Sequence, residues 1–202
     1  MALTRLILWR HGQTQWNAQG WFQGSNADIE LSQTGLDQAR AAARHLASLA
    51  PDVLVSSPMA RATQTCTAVQ ALTEQQRHID PRLTEIDMGA WSGLTLDAVR
   101  ALDPAWAKAH DLSEDYRYGR TGETSLEVGV RASAAMRDWA ASGGTVLIVS
   151  HGLSIRMGVA NLLGWTTYAQ ASVLTVMGNC AWSILTNTRR GWRLDVWNAA
   201  AG

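Results

Sequence analysis

Two histidines in this sequence each lie one residue past a short apolar run, and each is followed by a glycine. Arg10-His11-Gly12 comes after residues 6–9, and Ser150-His151-Gly152 comes after residues 145–149. A neutral imidazole near physiological pH is a nucleophile, and it also carries one hydrogen-bond donor. The sequence therefore offers two candidate catalytic histidines, the first with an arginine directly before it.

Further groups with compatible chemistry follow other parts of the pattern. Residues 56–58 (Ser-Ser-Pro) end a third apolar run, and Arg61 comes shortly afterwards, whereas Glu85 lies in an irregular stretch. Arginine holds tetrahedral oxyanions such as phosphate in bidentate fashion. A carboxyl group can protonate a leaving alcohol and later deprotonate water. The set predicts phosphoryl transfer with His11 as nucleophile, His151 donating to the phosphoryl oxygens, and no metal or other cofactor.

Each signal also has a simpler interpretation. The two histidines could bind a metal ion, although the neighbouring arginines would repel a dication. Taken singly, His151 could be a structural histidine, and Arg61 or Glu85 a surface charge. Their joint placement after strands favours a single site. The remaining histidines lack such partners and are expected to be structural or exposed: His45, His78 and His110.

Hydrophobic periodicity predicts the elements that would position these groups. Short apolar runs predict buried strands at 4–9, 53–55, 77–79 and 145–149. Helical patterns occupy 33–50, 58–74, 95–108, 125–141 and 154–163. The alternation predicts an α/β fold, a three-layer sandwich with a mainly parallel central sheet flanked by helices. Since the carboxyl ends of parallel strands share one edge, the polar residues after the strands should converge there.

The loops and the tail complete the prediction. A loop rich in Gln, Asn, Trp and Gly spans 12–30, and the polar segment 111–123 is expected to be a surface loop over the site. Segments 182–185 and 192–197 predict a hairpin that turns within 187–191. No repeat or linker interrupts the chain, so residues 1–202 are expected to form one domain.

Composition limits the classes of function. Hydrophobic residues make up 47% and charged residues 17%, which is typical of a globular protein. The 17 basic and 17 acidic side chains cancel, which argues against a nucleic-acid partner. Cys66 and Cys180 are too few for a disulfide scaffold. Neither a signal peptide nor a membrane span is recognisable, so we expect a cytoplasmic protein without a membrane partner.

These motifs closely resemble the histidine phosphatase superfamily, in its phosphoglycerate mutase-like branch. The resemblance runs in order along nearly the whole chain, through LILWRHGQTQWN, GSNADIELSQTGLDQA, VSSPMARATQT, LTEIDMGAWSG, GETSLEVGVR and VSHG. The tail segments MGNCAWSIL and GWRLDVWNAA resemble actinobacterial members, which include glucosyl-3-phosphoglycerate phosphatases. The family implies a phosphoglycerate mutase-like fold and a small-molecule phosphomonoester as substrate.

The resemblance also implies roles for individual residues. His11 would be the phosphorylated nucleophile and Glu85 the proton donor and acceptor, while Arg10, Arg61 and His151 would bind the transferring phosphoryl group. A second group would contact phosphate or substrate: Asn17, Gln23, Gly24, Glu123 and Thr124.

Two departures from the family pattern favour a phosphatase over a bisphosphate-dependent phosphoglycerate mutase. Many members carry an arginine where this chain has Trp21, and the basic insertion of the longer mutases is missing. The mutase stays an alternative, as does a non-catalytic phospho-ligand binder, although such a binder would be expected to have lost His11 or Glu85. Trp16 and Trp21 could stack on a sugar or pack in the core. A homodimer, formed through the apolar tail, is also possible.

Overall fold

A computed structural model of the chain describes residues 4–201, so residues 1–3 and 202 of the predicted domain lie outside the described residues. The strands are β1 (Thr4–Arg10), β2 (Val53–Ser56), β3 (Arg77–Ile79), β4 (Thr145–Ser150), β5 (Trp182–Thr188) and β6 (Gly191–Ala199). The helices are α1 (Gln15–Ala18), α2 (Gln33–Ser48), α3 (Ala60–Thr73), α4 (Leu96–Leu102), α5 (Pro104–Asp111), α6 (Ser125–Ala140), α7 (Gly152–Leu162) and α8 (Tyr168–Ala171). Two short 3-10 turns, Pro81–Leu83 and Gly89–Trp91, lie in the stretch predicted to be irregular.

The six strands form one sheet in the order β3-β2-β4-β1-β5-β6. The first four are parallel, while β5 runs antiparallel to β1 and pairs with β6 as the predicted hairpin. The predicted α/β fold with a mainly parallel sheet is therefore confirmed.

Helices cover both faces of this sheet. Side chains of a strand alternate between its two sides, so an apolar strand presents hydrophobic residues to both layers of helices. Leu6 and Leu8 pack into the apolar cluster that contains residues of α6 and α7. Ile7 and Trp9 pack into the opposite cluster, which contains residues of α2 and α3. Residues 6–9 of β1 are thus buried on both faces of the sheet, which accounts for the unbroken hydrophobic run.

One predicted helix is wrong in its extent. The helix expected at 95–108 is two helices, α4 and α5, that meet at Asp103. Pro104 disfavours helical backbone at the preceding residue, and the Asp103 side chain instead caps α5 by accepting from the Trp106 amide. The helix predicted from residue 154 also begins earlier, at Gly152, with His151 at its N-cap.

Within residues 4–201, no helix combines the length and apolar character needed to cross a membrane.

Candidate active site

The three strands whose ends carry the candidate residues are neighbours in the sheet, in the order β2-β4-β1. Arg10 pairs with Ser150 in register, and Ser56 pairs with Val149. The His11 amide donates to the Ser150 carbonyl at 3.0 Å, which continues the ladder one residue past β1. The predicted convergence at one sheet edge is therefore present.

A cavity of about 270 Å³ opens at this edge. Seven of the ten predicted site residues line it: Arg10, His11, Asn17, Gln23, Gly24, Arg61 and Glu85. Arg156 also lines the cavity, whereas His151 lies behind the lining. Apolar walls are supplied by Trp21, Phe22, Met88, Leu153 and Val176. Polar groups thus share one depression with a hydrophobic surface, as in small-molecule sites.

His11 is held in one tautomer. Its Nδ1 lies 2.7 Å from the Gly12 carbonyl oxygen, and a carbonyl can only accept, so Nδ1 carries the proton and Nε2 has the lone pair. Burial, together with the charges of Arg61 and Arg10, holds the pKa of His11 well below its usual value. The imidazole is therefore neutral at pH 7, the form a nucleophile requires.

The turn at Gly12 is tightly packed against the start of α2. A Cβ atom on Gly12 would lie only 2.5 Å from the Gly35 carbonyl oxygen. A side chain at residue 12 would therefore push the His11 loop off the sheet edge.

Two buried guanidinium groups flank the imidazole. Arg61 is fully buried and donates to the carbonyls of Gly24 at 2.8 Å and Ala27 at 3.3 Å, while Arg10 donates to the Met177 carbonyl. Burial lowers the pKa of Arg61 to about 10, so it remains charged at neutral pH. The Nε atoms of both arginines are buried without a hydrogen-bond partner. Buried donors of this kind are costly unless an anion satisfies them.

His151 lies on the other side of His11, with 5.2 Å between the ring centroids. Its Nε2 is 2.8 Å from the Ser57 hydroxyl, and its Nδ1 is buried without a partner. Burial and the charge of Arg61 keep the pKa of His151 well below its usual range. The unpartnered polar atoms at this edge therefore include an imidazole nitrogen of His151 beside the two arginine Nε atoms and Oε1 of Gln23.

Glu85 is fixed by the N-terminus of α7. Its Oε1 accepts from the Ile86 amide at 3.0 Å and from the amide and hydroxyl of Ser154, at 3.2 and 3.1 Å. Its Oε2 accepts only from the Leu153 amide, at 3.2 Å. Oε2 is therefore the carboxyl oxygen with hydrogen-bonding capacity left for a group in the cavity.

Asn17 lines the cavity with its amide group oriented by neighbours. Its Oδ1 accepts from the Thr14 amide at 3.1 Å and from Nδ2 of Asn179 at 3.0 Å. With the oxygen occupied, Nδ2 is the side-chain atom left to donate to a ligand. Gln23 and Gly24 also lie in the lining.

Glu123 and Thr124, which the resemblance places at the substrate, lie elsewhere in the described residues. Glu123 forms an ion pair with Arg131, at 2.7 Å between Oε1 and Nε. Thr124 caps α6, where its hydroxyl accepts from the Glu127 amide. Neither residue is in the cavity lining, and both side chains already have protein partners.

The segment 111–123 does not cover the site as expected. Its Tyr118 is buried and contacts Trp91 edge-on, with 5.7 Å between centroids. Among residues 4–201, the lining of the cavity includes none from 111–123. The cover comes instead from Trp21, which is 37% exposed and packs edge-on against Trp16, and from Val176 in the tail.

Sequence reasoning missed four residues at or behind the site: Ser57 as partner of His151, Asn179 as partner of Asn17, Arg131 and Arg156. Ser57, Arg131 and Asn179 lie in the quoted motifs VSSPMARATQT, GETSLEVGVR and MGNCAWSIL, but nothing in those motifs showed their partners. Arg156 had a signal in its spacing. It lies four residues after Gly152 in a helix, so both residues share the face that begins at the strand end.

No group of three or more His, Cys, Asp or Glu side chains within residues 4–201 is arranged to hold a metal ion.

A neutral imidazole with a free lone pair, beside buried arginine donors at the edge of a parallel sheet, suits phosphoryl transfer on an α/β fold. Residues 6–200 match the profile of the histidine phosphatase superfamily (branch 1), and the chain belongs to that superfamily.

Similar proteins agree with this membership. The chain is 36% identical to a glucosyl-3-phosphoglycerate phosphatase of Mycolicibacterium vanbaalenii, over all of this chain and 97% of the relative. A solved mycobacterial glucosyl-3-phosphoglycerate phosphatase complexed with VO3 superposes with a TM-score of 0.87 at 35% identity, covering 97% and 99% of the two chains. A probable phosphoglycerate mutase of Enterobacter sp. is 30% identical, over 96% of this chain and 90% of the relative.

Proposed function

We propose that the protein is a metal-independent phosphomonoesterase that acts through a phosphohistidine at His11. One observation carries this proposal. Near the Nε2 lone pair of His11, three buried nitrogens have no protein partner: Arg10 Nε, Arg61 Nε and His151 Nδ1. A phosphoryl group would satisfy all three when His151 carries its proton on Nδ1, the tautomer in which its Nε2 accepts from the Ser57 hydroxyl.

In the first step, Nε2 of His11 attacks phosphorus while the bond from phosphorus to the ester oxygen breaks. Glu85 transfers its proton to the departing oxygen, so the alcohol leaves neutral. Arg10, Arg61 and His151 stabilise the charge on the phosphoryl oxygens during the transfer.

In the second step, the Glu85 carboxylate removes a proton from water as the water oxygen attacks phosphorus. The bond from phosphorus to Nε2 breaks, and the lone pair returns to His11. Phosphate departs, and Glu85 is protonated for the next cycle.

For the substrate we propose a small phosphorylated metabolite of the sugar phosphate or phosphoglycerate type, with glucosyl-3-phosphoglycerate as the first candidate. The similarity to mycobacterial glucosyl-3-phosphoglycerate phosphatases supports this choice. The half-exposed ring of Trp21 in the cavity wall offers a surface on which a sugar ring can stack.

The nucleophile is tested with His11→Ala, assayed by phosphate release from p-nitrophenyl phosphate. We expect a loss of at least about 1000-fold, because removing a nucleophile forfeits the covalent route. Wild-type protein quenched during turnover should carry phosphate on His11. His110→Ala is the control, since His110 is exposed and pairs with Asp111. Retained activity in His11→Ala would refute the proposal.

Metal independence is tested with EDTA. The positive charges of Arg10 and Arg61 beside the histidines repel a dication, so activity should survive dialysis against the chelator. Complete loss that is restored by a divalent metal would instead favour metal-assisted hydrolysis.

The mutase is the second candidate, and the similarity to the Enterobacter protein favours it. It is distinguished by the fate of the phosphoryl group, which goes to water in a phosphatase and back onto glycerate in a mutase.

The cytoplasmic location and the homodimer stay predictions.

A further inference from the structure

Arg156 is a third arginine in the cavity, and it lies outside the phosphate-binding group. In α7, residues three and four positions apart share one face, so Arg156 lies on the same face as Gly152 and Leu153, and all three line the cavity. Helical side chains lean towards the N-terminus, which here is the end beside His151. The fold therefore directs a guanidinium towards the substrate.

The Nε end of the Arg156 guanidinium is anchored by protein contacts, whereas its two terminal nitrogens are free. Nε of Arg156 donates to the Ala171 carbonyl of α8 at 3.1 Å, and the guanidinium carbon lies 5.6 Å from the centroid of the Tyr168 ring. Among the described residues, no carboxylate forms an ion pair with Arg156 and its terminal nitrogens have no hydrogen-bond partner. This cation is held at the cavity without an anion of its own.

The surroundings suggest the kind of anion it would bind. Phe22, Met88 and Val176 form apolar walls of the same cavity, which strengthen a charged hydrogen bond by excluding water. Arg10 and Arg61 are committed to the transferring phosphoryl group, so a single positive charge remains. One guanidinium matches one carboxylate in charge and in bidentate shape, whereas a second phosphate dianion would leave a charge uncompensated.

We propose that Arg156 binds a carboxylate of the substrate, so that the enzyme selects phosphorylated hydroxy acids over phosphorylated alcohols. This inference rests on the proposed phosphatase function and names the substrate class of the same site.

The test compares two substrates that differ in one group. 3-Phosphoglycerate carries a carboxylate where glycerol 3-phosphate has a hydroxymethyl group. Wild-type kcat/KM should be at least about 10-fold higher for 3-phosphoglycerate, the range of a charge-assisted hydrogen bond. In Arg156→Gln that preference should fall roughly 10- to 100-fold, mainly through KM, while glycerol 3-phosphate and p-nitrophenyl phosphate change less than about twofold.

Two further variants sharpen the result. Arg156→Lys keeps the charge but loses the bidentate geometry, so it should recover part of the preference. Arg193→Gln also removes one positive charge, from an exposed side chain paired with Asp195 outside the cavity, and should leave the preference unchanged.

The inference is overturned if wild-type enzyme does not distinguish the two substrates, or if Arg156→Gln slows all three equally. Failure of the phosphatase proposal has a different signature, since wild-type enzyme would then release no phosphate from p-nitrophenyl phosphate or would form no phosphohistidine on His11.

Discussion

In the proposed mechanism, His151 depends on one hydrogen bond, the contact between its Nε2 and the Ser57 hydroxyl. For Nδ1 to donate to a phosphoryl oxygen, Nε2 must accept, and the Ser57 hydroxyl at 2.8 Å is positioned to donate to it. His11 uses the Gly12 carbonyl for the opposite purpose, since that contact places the proton on Nδ1 and frees Nε2. The hydrogen-bond partners of the two neighbouring imidazoles thus leave a lone pair free on His11 and an N–H free on His151.

Removing the Ser57 hydroxyl should impair His151 specifically. In Ser57→Ala, Nε2 of His151 loses its buried partner and the proton is no longer confined to Nδ1. We expect kcat to fall about 10-fold, which is the cost of an unsatisfied buried group. Nitrogen NMR of His151 should show a changed tautomer population.

Ser57→Thr retains a hydroxyl and serves as the matched variant, with activity close to wild type. An unchanged kcat in Ser57→Ala, or an unaltered tautomer, would contradict this role for Ser57.

At the residue scale, the sequence identified the chemistry but not every contact. The convergence of His11, Arg61, Glu85 and His151 could be predicted because each lies in a recognisable motif that follows a strand. The contacts of Arg131 could not, although it ends the motif GETSLEVGVR, because its side chain reaches from α6 to the carbonyls of a distant segment. The sequence predicts each of the two elements, but such contacts depend on how the elements pack against each other.

The segment that carries Glu85 has little regular structure, and α6 holds it in place. Arg131 donates to the carbonyls of Arg82, Thr84 and Glu85 at 2.8, 2.7 and 3.0 Å. Its ion-pair partner Glu123 accepts from the Asp87 amide at 3.0 Å. The pair therefore fixes the backbone on both sides of Glu85, which explains why Glu123 is not at the cavity.

Arg131→Lys should weaken proton transfer by Glu85 more than it weakens phosphate binding. Lysine is a point donor and cannot reach three carbonyls and a carboxylate together. We expect kcat/KM for an alkyl phosphate to fall at least about 10-fold, within the range of general acid catalysis. p-Nitrophenyl phosphate should be affected much less, because its leaving group departs readily as an anion.

Glu85→Gln should show the same dependence on the leaving group. Arg137→Lys lies on the same helix but contacts Ser133 and Asn161, so it serves as the control. Equal losses on both substrates in Arg131→Lys would indicate a general effect on folding.

The same scale shows where helix prediction fails. The apolar spacing across 95–108 continues through Asp103, but proline chemistry divides it into α4 and α5. The one-turn helices α1 and α8 were not predicted, because four residues are too few for periodicity to register. Their capping boxes, which begin at Thr14 and Thr167, were the available signal.

At the scale of the whole molecule, the order of the strands in the sheet determines which strand ends meet at the candidate active site. β1 and β2 come first along the chain, but β4 lies between them in the sheet, so the ends of β1 and β2 flank His151 on opposite sides. Parallel-strand rules predict such a shared edge from sequence. They do not predict the outer walls, because Trp21, Met88 and Val176 belong to loops whose paths are set by tertiary packing.

The two buried histidines also link stability to pH. In the unfolded chain each histidine has a pKa near 6.5, whereas in the folded protein burial and nearby arginines hold both pKa values well below that. As pH falls below 6.5, these two histidines bind protons in the unfolded state but stay neutral in the native state. The contribution of these two residues to stability is therefore fully present above pH 6.5 and is lost as pH falls towards the folded pKa values.

We expect the free energy of unfolding to decrease between pH 7.5 and 5.5, with these two residues contributing at most about 2.7 kcal/mol per pH unit together. Urea unfolding in phosphate-free buffer measures this, since bound phosphate would add its own linkage. The double variant His11→Gln/His151→Gln removes both titrating groups while keeping polar side chains. Its unfolding should therefore take up as many as two protons fewer than that of wild type, and its free energy of unfolding should depend less steeply on pH. If the double variant and wild type lose stability in parallel over this range, other groups carry the pH dependence, and the neutral, buried state inferred for the two histidines is wrong.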